Sequence, residues 1–344
     1  MDFLVELGMF VAKSLTIVIS IAAIALILIG LGMKQKHRNG ELELTDLSEL
    51  HEEMGETLTA SLLSKEELKK HKKELKKQHK QEKKKAKKEP ETSKPRLFVL
   101  DFKGSIDAKE VQEMREEVSA VIIAANEEDQ VLIRLESGGG MVHAYGLASS
   151  QIERLRAANI HITISVDKVA ASGGYMMACL GNDLIAAPFA IIGSIGVIAQ
   201  IPNFNKILKK NDVEFEQLTA GEYKRTLTMF GENTDAAREK FKQELEETHV
   251  LFKEFVSERR PQLDIVKVAT GEHWYGSQAL DLQLIDKIQT SDDFVMQAHD
   301  KFKVVLLKYH GKKKLSERIA QAASMTIESL ALKVLAARSW DWTK

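Results

Sequence analysis

The region from residue 95 to residue 305 is predicted to form an α/β domain built on a largely parallel sheet. Short apolar, β-branched segments alternate there with helical segments, and this alternation is typical of strands joined by crossover helices. A region of about 210 residues is long enough to enclose one hydrophobic core. The sequence therefore predicts one folded domain, flanked by an apolar N-terminal stretch and charge-rich segments.

The individual elements follow from local pattern. The first strand is expected at 96–102, after Pro90 and Pro95 close the preceding charged segment. The other predicted strands are at 131–135, 162–166, 183–188 and 196–201. The predicted helices are at 111–125, 142–158, 203–210 and 234–259, with a further helix beginning near residue 175. Thr234 is the expected N-cap of the helix that ends near residue 259.

Residues 1–38 are predicted to be an N-terminal transmembrane anchor. Positions 15–33 are almost wholly apolar, which is long enough to cross the hydrocarbon core of a bilayer. A cleaved signal peptide fits less well, because the apolar run is long, its start lacks a basic region and no Ala-x-Ala site follows. Lys34, Lys36 and Arg38 follow the span, so the positive-inside rule places the body of the chain in the cytoplasm.

Residues 39–94 are predicted to be a charged, partly helical linker. The stretch 41–56 has seven acidic residues and no Lys or Arg, whereas 65–89 has 13 lysines against 5 glutamates. Such runs favour a solvated, extended spacer, and the basic part also suits contact with anionic lipid. Nucleic-acid binding is not expected, because no aromatic residues are interleaved with the lysines.

Residues 306–344 are predicted to form a C-terminal amphipathic helix, since the stretch 315–342 is apolar on one face. That face suits core or subunit packing, and insertion into a membrane interface is the alternative. The single cysteine, Cys179, excludes an internal disulfide and is expected to be a small buried apolar residue.

A candidate nucleophile lies in 169–175 (VAASGGY), between a predicted strand and a predicted helix. A serine at such a junction sits on a tight turn beside unpaired backbone N–H groups, which can stabilise an oxyanion. Ser172 therefore resembles the serine of a nucleophile elbow, although the surrounding sequence differs from the hydrolase form of that motif. A purely structural Ser-Gly-Gly turn is the alternative interpretation.

Three further segments are candidates for the same site. The stretch 136–142 (ESGGGMV) is a glycine-rich loop after a strand, suited to an oxyanion donor or a peptide clamp. No Gly-Lys-Ser/Thr follows it, so a nucleotide-binding loop is not favoured. Ser194 lies between glycines in 193–197 (GSIGV), and Lys224 lies in 223–226 (YKRT). A lysine acts as a general base only where its amine is kept neutral, and most lysines are simply solvated.

Together these motifs resemble the signal peptide peptidase A (SppA) family of Ser/Lys proteases, in particular its SohB-type branch. The stretches 231–234 (GENT) and 270–276 (TGEHWYG) extend the resemblance, which covers residues 95–300 strongly. It implies a ClpP/crotonase-like superhelical domain, a homo-oligomer and a single-pass protein of the bacterial inner membrane. The resemblance also implies a catalytic domain outside the cytoplasm, in conflict with the charge rule above.

The resemblance assigns roles to individual residues. Ser172 would be the nucleophile, Lys224 the general base and Ser194 the group that orients the lysine. Backbone N–H groups of Gly173 and of Gly139 or Gly140 would form the oxyanion hole, and neither metal nor cofactor is implied. Two positions depart from the family pattern, because Gly138 replaces a proline and Gln283 replaces a common glycine.

The predicted function is therefore a membrane-anchored serine endopeptidase acting on apolar, extended segments such as signal-peptide remnants or membrane-protein fragments. The expected partners are a peptide or protein substrate, membrane lipid and further copies of the chain. A crotonase-type acyl-CoA enzyme and a non-catalytic membrane scaffold are the alternatives from other classes. A Ser/His/Asp triad is the competing chemistry, although neither His143 nor His273 lies in a recognisable triad motif.

Overall fold

The computed structural model describes residues 40–64, 66–71, 94–221 and 223–311, together with positions 9, 13, 16, 73 and 77. It has two compact units, one formed by Leu42–Tyr309 and the other by Met1–Glu41 with His310–Lys344. None of the described helices combines the length and hydropathy that crossing a bilayer requires. The predicted span at 15–33 lies outside the described residues except for Thr16, and so does the predicted C-terminal helix beyond residue 311.

Strands and helices alternate along the described chain. The strands are β1 (Gly40–Asp46), β2 (Arg96–Lys103), β3 (Gln130–Glu136), β4 (His161–Val166), β5 (Val169–Ala171), β6 (Asp183–Ala186), β7 (Ile191–Gly193), β8 (His273–Tyr275), β9 (Lys287–Ile288) and β10 (Lys303–Gly311). The helices are α1 (Leu47–Leu62), α2 (Val111–Ala124), α3 (Val142–Ala157), α4 (Gly173–Ala178), α5 (Asn205–Lys210), α6 (Asp235–Arg259), α7 (Ile265–Val268), α8 (Gly276–Asp281) and α9 (Ser291–Ala298).

Two sheets organise these elements. The larger has the strand order β1-β10-β2-β3-β4-β6-β9, and its pairings from β10 to β9 are parallel. The smaller has the order β5-β7-β8, with β5 and β7 parallel and β8 antiparallel. The predicted α/β class with a largely parallel sheet is thereby confirmed.

Side chains from alternate positions of the central strands form a core on each face of the larger sheet. Phe98, Leu100 and Phe102 of β2 pack with buried residues of α2 and α3. Leu97 and Val99, which point the other way, pack with Leu47 of α1 and with Val295 and Ala298 of α9. Both faces are covered by helices, which explains why β2, β3 and β4 read as continuous apolar runs.

Helix α6 packs on this body through buried Phe252 and Val256, and Thr234 caps it as predicted by accepting a hydrogen bond from Ala237 N at 3.2 Å. An ion pair fixes its C-terminal end. Arg260, only 3% exposed, bonds Asp286 through both guanidinium nitrogens, at 2.8 and 2.9 Å. Asp286 also accepts from Leu184 N at 2.7 Å, so the pair connects α6 to β6, the strand next to the edge strand β9.

The structure differs from the sequence prediction in three intervals. The predicted linker begins as folded chain, because Leu42 and Leu44 alternate with polar residues in β1 and Asp46 caps α1. The strand expected at 196–201 does not form, since β7 ends at Gly193 and the backbone turns to positive φ at Ser194. The predicted C-terminal helical segment starts instead within β10, which extends to Gly311.

Candidate active site

Ser172 occupies a strained turn between β5 and α4. Its φ of 51° and ψ of −120° are unusual for a residue with a side chain. Strain of this kind costs on the order of 1–3 kcal/mol and is concentrated at functional sites. The turn is held on both sides, because Ser172 N donates to Gly193 O at 2.8 Å and Ser172 O accepts from Met176 N at 3.0 Å. The predicted strand–serine–helix arrangement is present.

Ser194 lies beside Ser172 at the end of the neighbouring strand. The parallel register pairs Ala170 with Ile192 and Ala171 with Gly193, so Ser172 and Ser194 directly follow the last pair of the ladder. Adjacent strands are about 4.8 Å apart, and both serines share a φ of 51°. The two serines, which lie in separate sequence motifs, thus follow neighbouring strand ends, and both are half-buried.

The glycine loop between β3 and α3 lies against the Ser172 turn. A side chain at Gly139, whose φ is 87°, would place its Cβ 2.7 Å from the Gly173 nitrogen and 2.8 Å from the Ser172 Cβ. A side chain at Gly140 would place its Cβ 2.0 Å from the carbonyl oxygen of Ile106. Only glycine allows these backbones to approach so closely.

The hydrogen bonds of this loop separate its N–H groups into occupied and unoccupied donors. Gly139 N donates to Ser137 Oγ at 3.1 Å, and Met141 N donates to Ile106 O at 2.8 Å. Within the described part of the chain, the N–H groups of Gly140 and Gly173 have no acceptor. Two unoccupied backbone donors therefore flank Ser172, as an oxyanion hole requires.

A cavity of about 270 Å³ opens beside these groups. Ser172, Gly140 and Gly173 line one side of it. The rest of its wall is mainly apolar and includes Val142, Met176, Val197, Ile198, Leu251, Phe252 and Phe255. The contribution of α6 to the cavity is not visible in the sequence, because no local pattern distinguishes a cavity-lining apolar face from a core-facing one.

Lys224 is not joined to this pair of serines. It lies on the segment between β7 and α6, its side chain is exposed, and Lys224 N donates to Gly221 O at 3.2 Å. Among the described residues, no hydrogen bond or ion pair connects Lys224 to Ser172 or Ser194. The segment contacts the body sparsely, and its helix α5 has no buried residue.

Other reactive side chains near the site are accounted for. His143 and His273 are exposed, and neither forms a described hydrogen bond to Ser172. His249, which the sequence analysis did not single out, lies with its Nε2 3.3 Å from the carbonyl oxygen of Ile195. Cys179 is fully buried as predicted, and burial raises the pKa of its thiol to about 12, so it stays protonated.

Comparison with known proteins places this geometry in context. Residues 2–152 match the family described as Peptidase family S49 N-terminal, and residues 154–305 match Peptidase family S49. A probable protease SohB of Buchnera aphidicola subsp. Schlechtendalia chinensis is 53% identical over 86% of this chain and 99% of the relative. A probable protease SohB of Haemophilus influenzae is 49% identical over 94% of this chain and 93% of the relative. Protease 4 of Haemophilus influenzae is 29% identical over 49% of this chain and 28% of that protein.

Proposed function

Because the chain belongs to peptidase family S49, we propose that it is a serine endopeptidase in which Ser172 is the nucleophile and Lys224 the general base. The observation that carries the proposal is the strained Ser172 turn with the unoccupied N–H groups of Gly140 and Gly173 beside it. Strain is retained where a nucleophile must be presented, and paired N–H donors stabilise a tetrahedral oxyanion.

The proposed reaction is acyl transfer. Neutral Lys224 takes the hydroxyl proton of Ser172 while Oγ forms a bond to the carbonyl carbon of the substrate peptide. The negative charge that develops on the carbonyl oxygen is stabilised by Gly140 and Gly173 N–H. When the carbon–nitrogen bond breaks, the lysine ammonium protonates the leaving amine, and water then hydrolyses the acyl-enzyme with lysine again as the base. Ser194, beside Ser172, would orient the lysine amine.

We further propose that the Lys224 segment reaches Ser172 only in a homo-oligomer, where another copy supplies it. Support comes from the exposed apolar side chains of this segment, which a partner would cover. They include Ile198, Ile201, Phe204, Ile207, Val213, Phe215, Leu218, Met229 and Phe230. Soluble monomers rarely expose such a concentration of apolar surface. A ClpP/crotonase-like superhelix, which the resemblance implies, is compatible with the two mainly parallel sheets.

The proposed substrates are apolar, extended segments of signal-peptide remnants or membrane-protein fragments. The apolar cavity beside Ser172 supports this class, because it would bury an aliphatic or aromatic side chain next to the scissile bond. Location in the bacterial inner membrane, through the apolar run at 15–33, is part of the same proposal.

The proposal is tested by hydrolysis of apolar peptides and casein by the detergent-solubilised full chain. Ser172→Ala and Lys224→Ala should each reduce the rate to background, whereas His143→Ala, His273→Ala and His249→Ala should retain most of it. Activity that survives Lys224→Ala but not His249→Ala would replace the lysine by a histidine base. Thioester hydrolysis without peptide hydrolysis would instead favour the crotonase-type alternative, and a wild-type protein inactive on all of these would favour the scaffold.

A further inference from the structure

A directed chain of hydrogen bonds starts at the glycine loop and ends at the loop after β2. Gly139 N donates to Ser137 Oγ at 3.1 Å, Ser137 Oγ bonds the Tyr145 hydroxyl, and Tyr145 Oη donates to Ser105 O at 2.8 Å. Tyrosine has one hydroxyl hydrogen, which the Ser105 carbonyl accepts, so Ser137 donates in the middle bond. The Gly104 carbonyl, 3.5 Å from Ser137 Oγ, is the other acceptor within reach of the Ser137 hydrogen. Each hydroxyl therefore donates once and accepts once.

Both hydroxyl-bearing residues are buried and contact the two sides of the proposed oxyanion hole. Tyr145 is fully buried, and a Cβ at Gly173 would lie 2.5 Å from its ring. Ser137 is 2% exposed, and its main chain bonds β5, with Ser137 N donating to Val169 O at 2.8 Å and Ser137 O accepting from Ala171 N at 3.0 Å. Burial raises the pKa of the Tyr145 hydroxyl, so it remains a donor at neutral pH.

The same two loops are joined a second time. Met141 N donates to Ile106 O, the carbonyl next to the one that accepts from Tyr145. Of three consecutive N–H groups in the glycine loop, the first and the third are thereby held. The middle one, Gly140 N–H, has no described acceptor, and Gly140 lines the cavity that Ser172 also lines. The hydrogen-bond chain thus restrains the loop on one side of the free donor, and Ile106 restrains it on the other.

We propose that Ser137 and Tyr145 are positioning residues that hold the Gly140 and Gly173 N–H groups at the spacing the tetrahedral intermediate requires. The inference rests on the proposed function, because it assigns these donors to a peptidase reaction. Neither side chain lines the cavity, so each acts through the main chain of its neighbours. Donors that are fixed in advance lower the activation barrier, whereas small displacements raise it steeply.

The test compares Tyr145→Phe with Tyr175→Phe in the full-length, detergent-solubilised protein. Tyr175 is the matched control, because it is also fully buried and its hydroxyl donates a single hydrogen bond, to Leu284 O at 2.8 Å, away from the glycine loop. Both substitutions should lower the melting temperature. Only Tyr145→Phe should lower kcat on an apolar peptide, by about tenfold or more, with a much smaller change in KM.

A peptide aldehyde inhibitor supplies the second readout. Its adduct with Ser172 places an oxyanion against the same N–H donors, so its affinity should fall in parallel with kcat in Tyr145→Phe and stay unchanged in Tyr175→Phe. Ser137→Ala should reproduce the effect of Tyr145→Phe. Ser165→Ala is the serine control, because the buried Ser165 Oγ has no hydrogen-bond partner in the described structure. Together the two pairs keep the test informative if one variant fails to fold.

Equal losses of kcat in Tyr145→Phe and Tyr175→Phe would overturn the proposal, as would a change confined to KM with unchanged aldehyde affinity. Labelling of Ser172 by a fluorophosphonate, with Ser172→Ala as the blank, distinguishes this failure from that of the proposed function. A labelled, active wild type with an unaffected Tyr145→Phe overturns the positioning role alone. A wild type that is neither labelled nor active overturns the peptidase proposal and the positioning role with it.

Discussion

Positive φ at residues with side chains has two different explanations in this protein. Ser172 and Ser194 adopt it directly after the last paired residues of adjacent strands, and Ser172 lines the cavity. Gln283 adopts a φ of 62° in the loop after α8, and its exposed side chain takes no part in the site. The glycine common at this position in the family is therefore explained by backbone conformation, because glycine reaches this region without steric cost.

Gln283→Gly is expected to raise the free energy of unfolding by about 1 kcal/mol and to leave peptide hydrolysis unchanged. Ser172→Gly should also be more stable than Ser172→Ala, since glycine relieves the strain that alanine retains, but both should be inactive. Denaturant unfolding with a parallel activity assay measures both effects. A Gln283→Gly protein less stable than the wild type would refute the strain interpretation.

At the scale of elements, the glycine loop is shaped by what lies behind it. Gly138 is open, and a Cβ there meets nothing within 4 Å, whereas a Cβ at Gly140 would strike the Ile106 carbonyl. Because no atom lies within 4 Å of a Cβ at Gly138, this chain tolerates glycine at the position where the family usually has a proline. Conformational freedom at Gly138 and contact at Gly140 are thus two separate properties of one loop.

Gly140→Ala is therefore expected to displace the loop and reduce kcat by about 100-fold or more, while Gly138→Ala keeps near wild-type activity. The two substitutions add the same methyl group two residues apart, so their comparison isolates the contact with Ile106. Steady-state kinetics on an apolar peptide measures the difference. If Gly140→Ala retained full activity, this loop would have no part in catalysis.

Helix α2 contributes a pH-sensitive contact with β10. Glu117 is 4% exposed and accepts from Tyr309 N at 2.8 Å. Burial raises the pKa of the Glu117 carboxyl from 4.5 to about 7. The hydrogen bond from Tyr309 N opposes this shift, and so does the charge of Lys308. The charges of Glu113 and Asp101 add to the shift. The unfolded chain releases this proton near pH 4.5 but the folded protein retains it to about pH 7, so the stability contribution falls as pH rises across that interval.

Glu117→Gln should remove this pH-dependent contribution to stability, because the glutamine oxygen still accepts from Tyr309 N and does not titrate. The variant should match the wild type near pH 4 and exceed its stability above pH 7. Melting temperatures of the wild type and of Glu117→Gln between pH 4 and 8 measure how the difference in stability widens. A gap independent of pH would show that Glu117 has the same pKa in the folded and unfolded chains.

Local patterns in the sequence predict the elements around the site well. The helices expected at 111–125 and 142–158 are observed as Val111–Ala124 and Val142–Ala157, because amphipathic period and flanking turns define them locally. The strand expected at 196–201 fails for the opposite reason: Val197 and Ile198 line a cavity that only the tertiary fold creates. The role proposed for Tyr145 likewise cannot be predicted from local sequence, since Ser105 and Gly173, which it contacts, are distant along the chain.

At the scale of the whole molecule, no described hydrogen bond or ion pair joins Lys224 to Ser172. Spacing along the chain aligned both residues with family motifs, but the intervening segment carries Lys224 to an exposed position. A second chain can resolve this separation, since the apolar side chains of that segment would then be buried. In our proposal, a second copy of the chain would therefore complete the active site.

Mixing Ser172→Ala and Lys224→Ala proteins should therefore restore part of the wild-type activity, because some sites would receive an intact serine from one copy and an intact lysine from the other. Each protein alone should stay inactive. Co-expression of the two variants, followed by purification of mixed oligomers through two affinity tags, provides the sample for the hydrolysis assay. Mixed oligomers without activity would count against completion of the site between subunits.

The position of β10 in the larger sheet has a consequence for how the protein is made. The buried strand β2 pairs with β3 on one side and on the other with β10, the last strand of the described chain. While the ribosome is still synthesising the intervening residues, β2 has an unpaired edge, which is a template for aggregation. Ser172, the proposed nucleophile, is translated well before this edge is closed. We therefore expect newly made chains to be most prone to aggregation in the interval before β10 is synthesised.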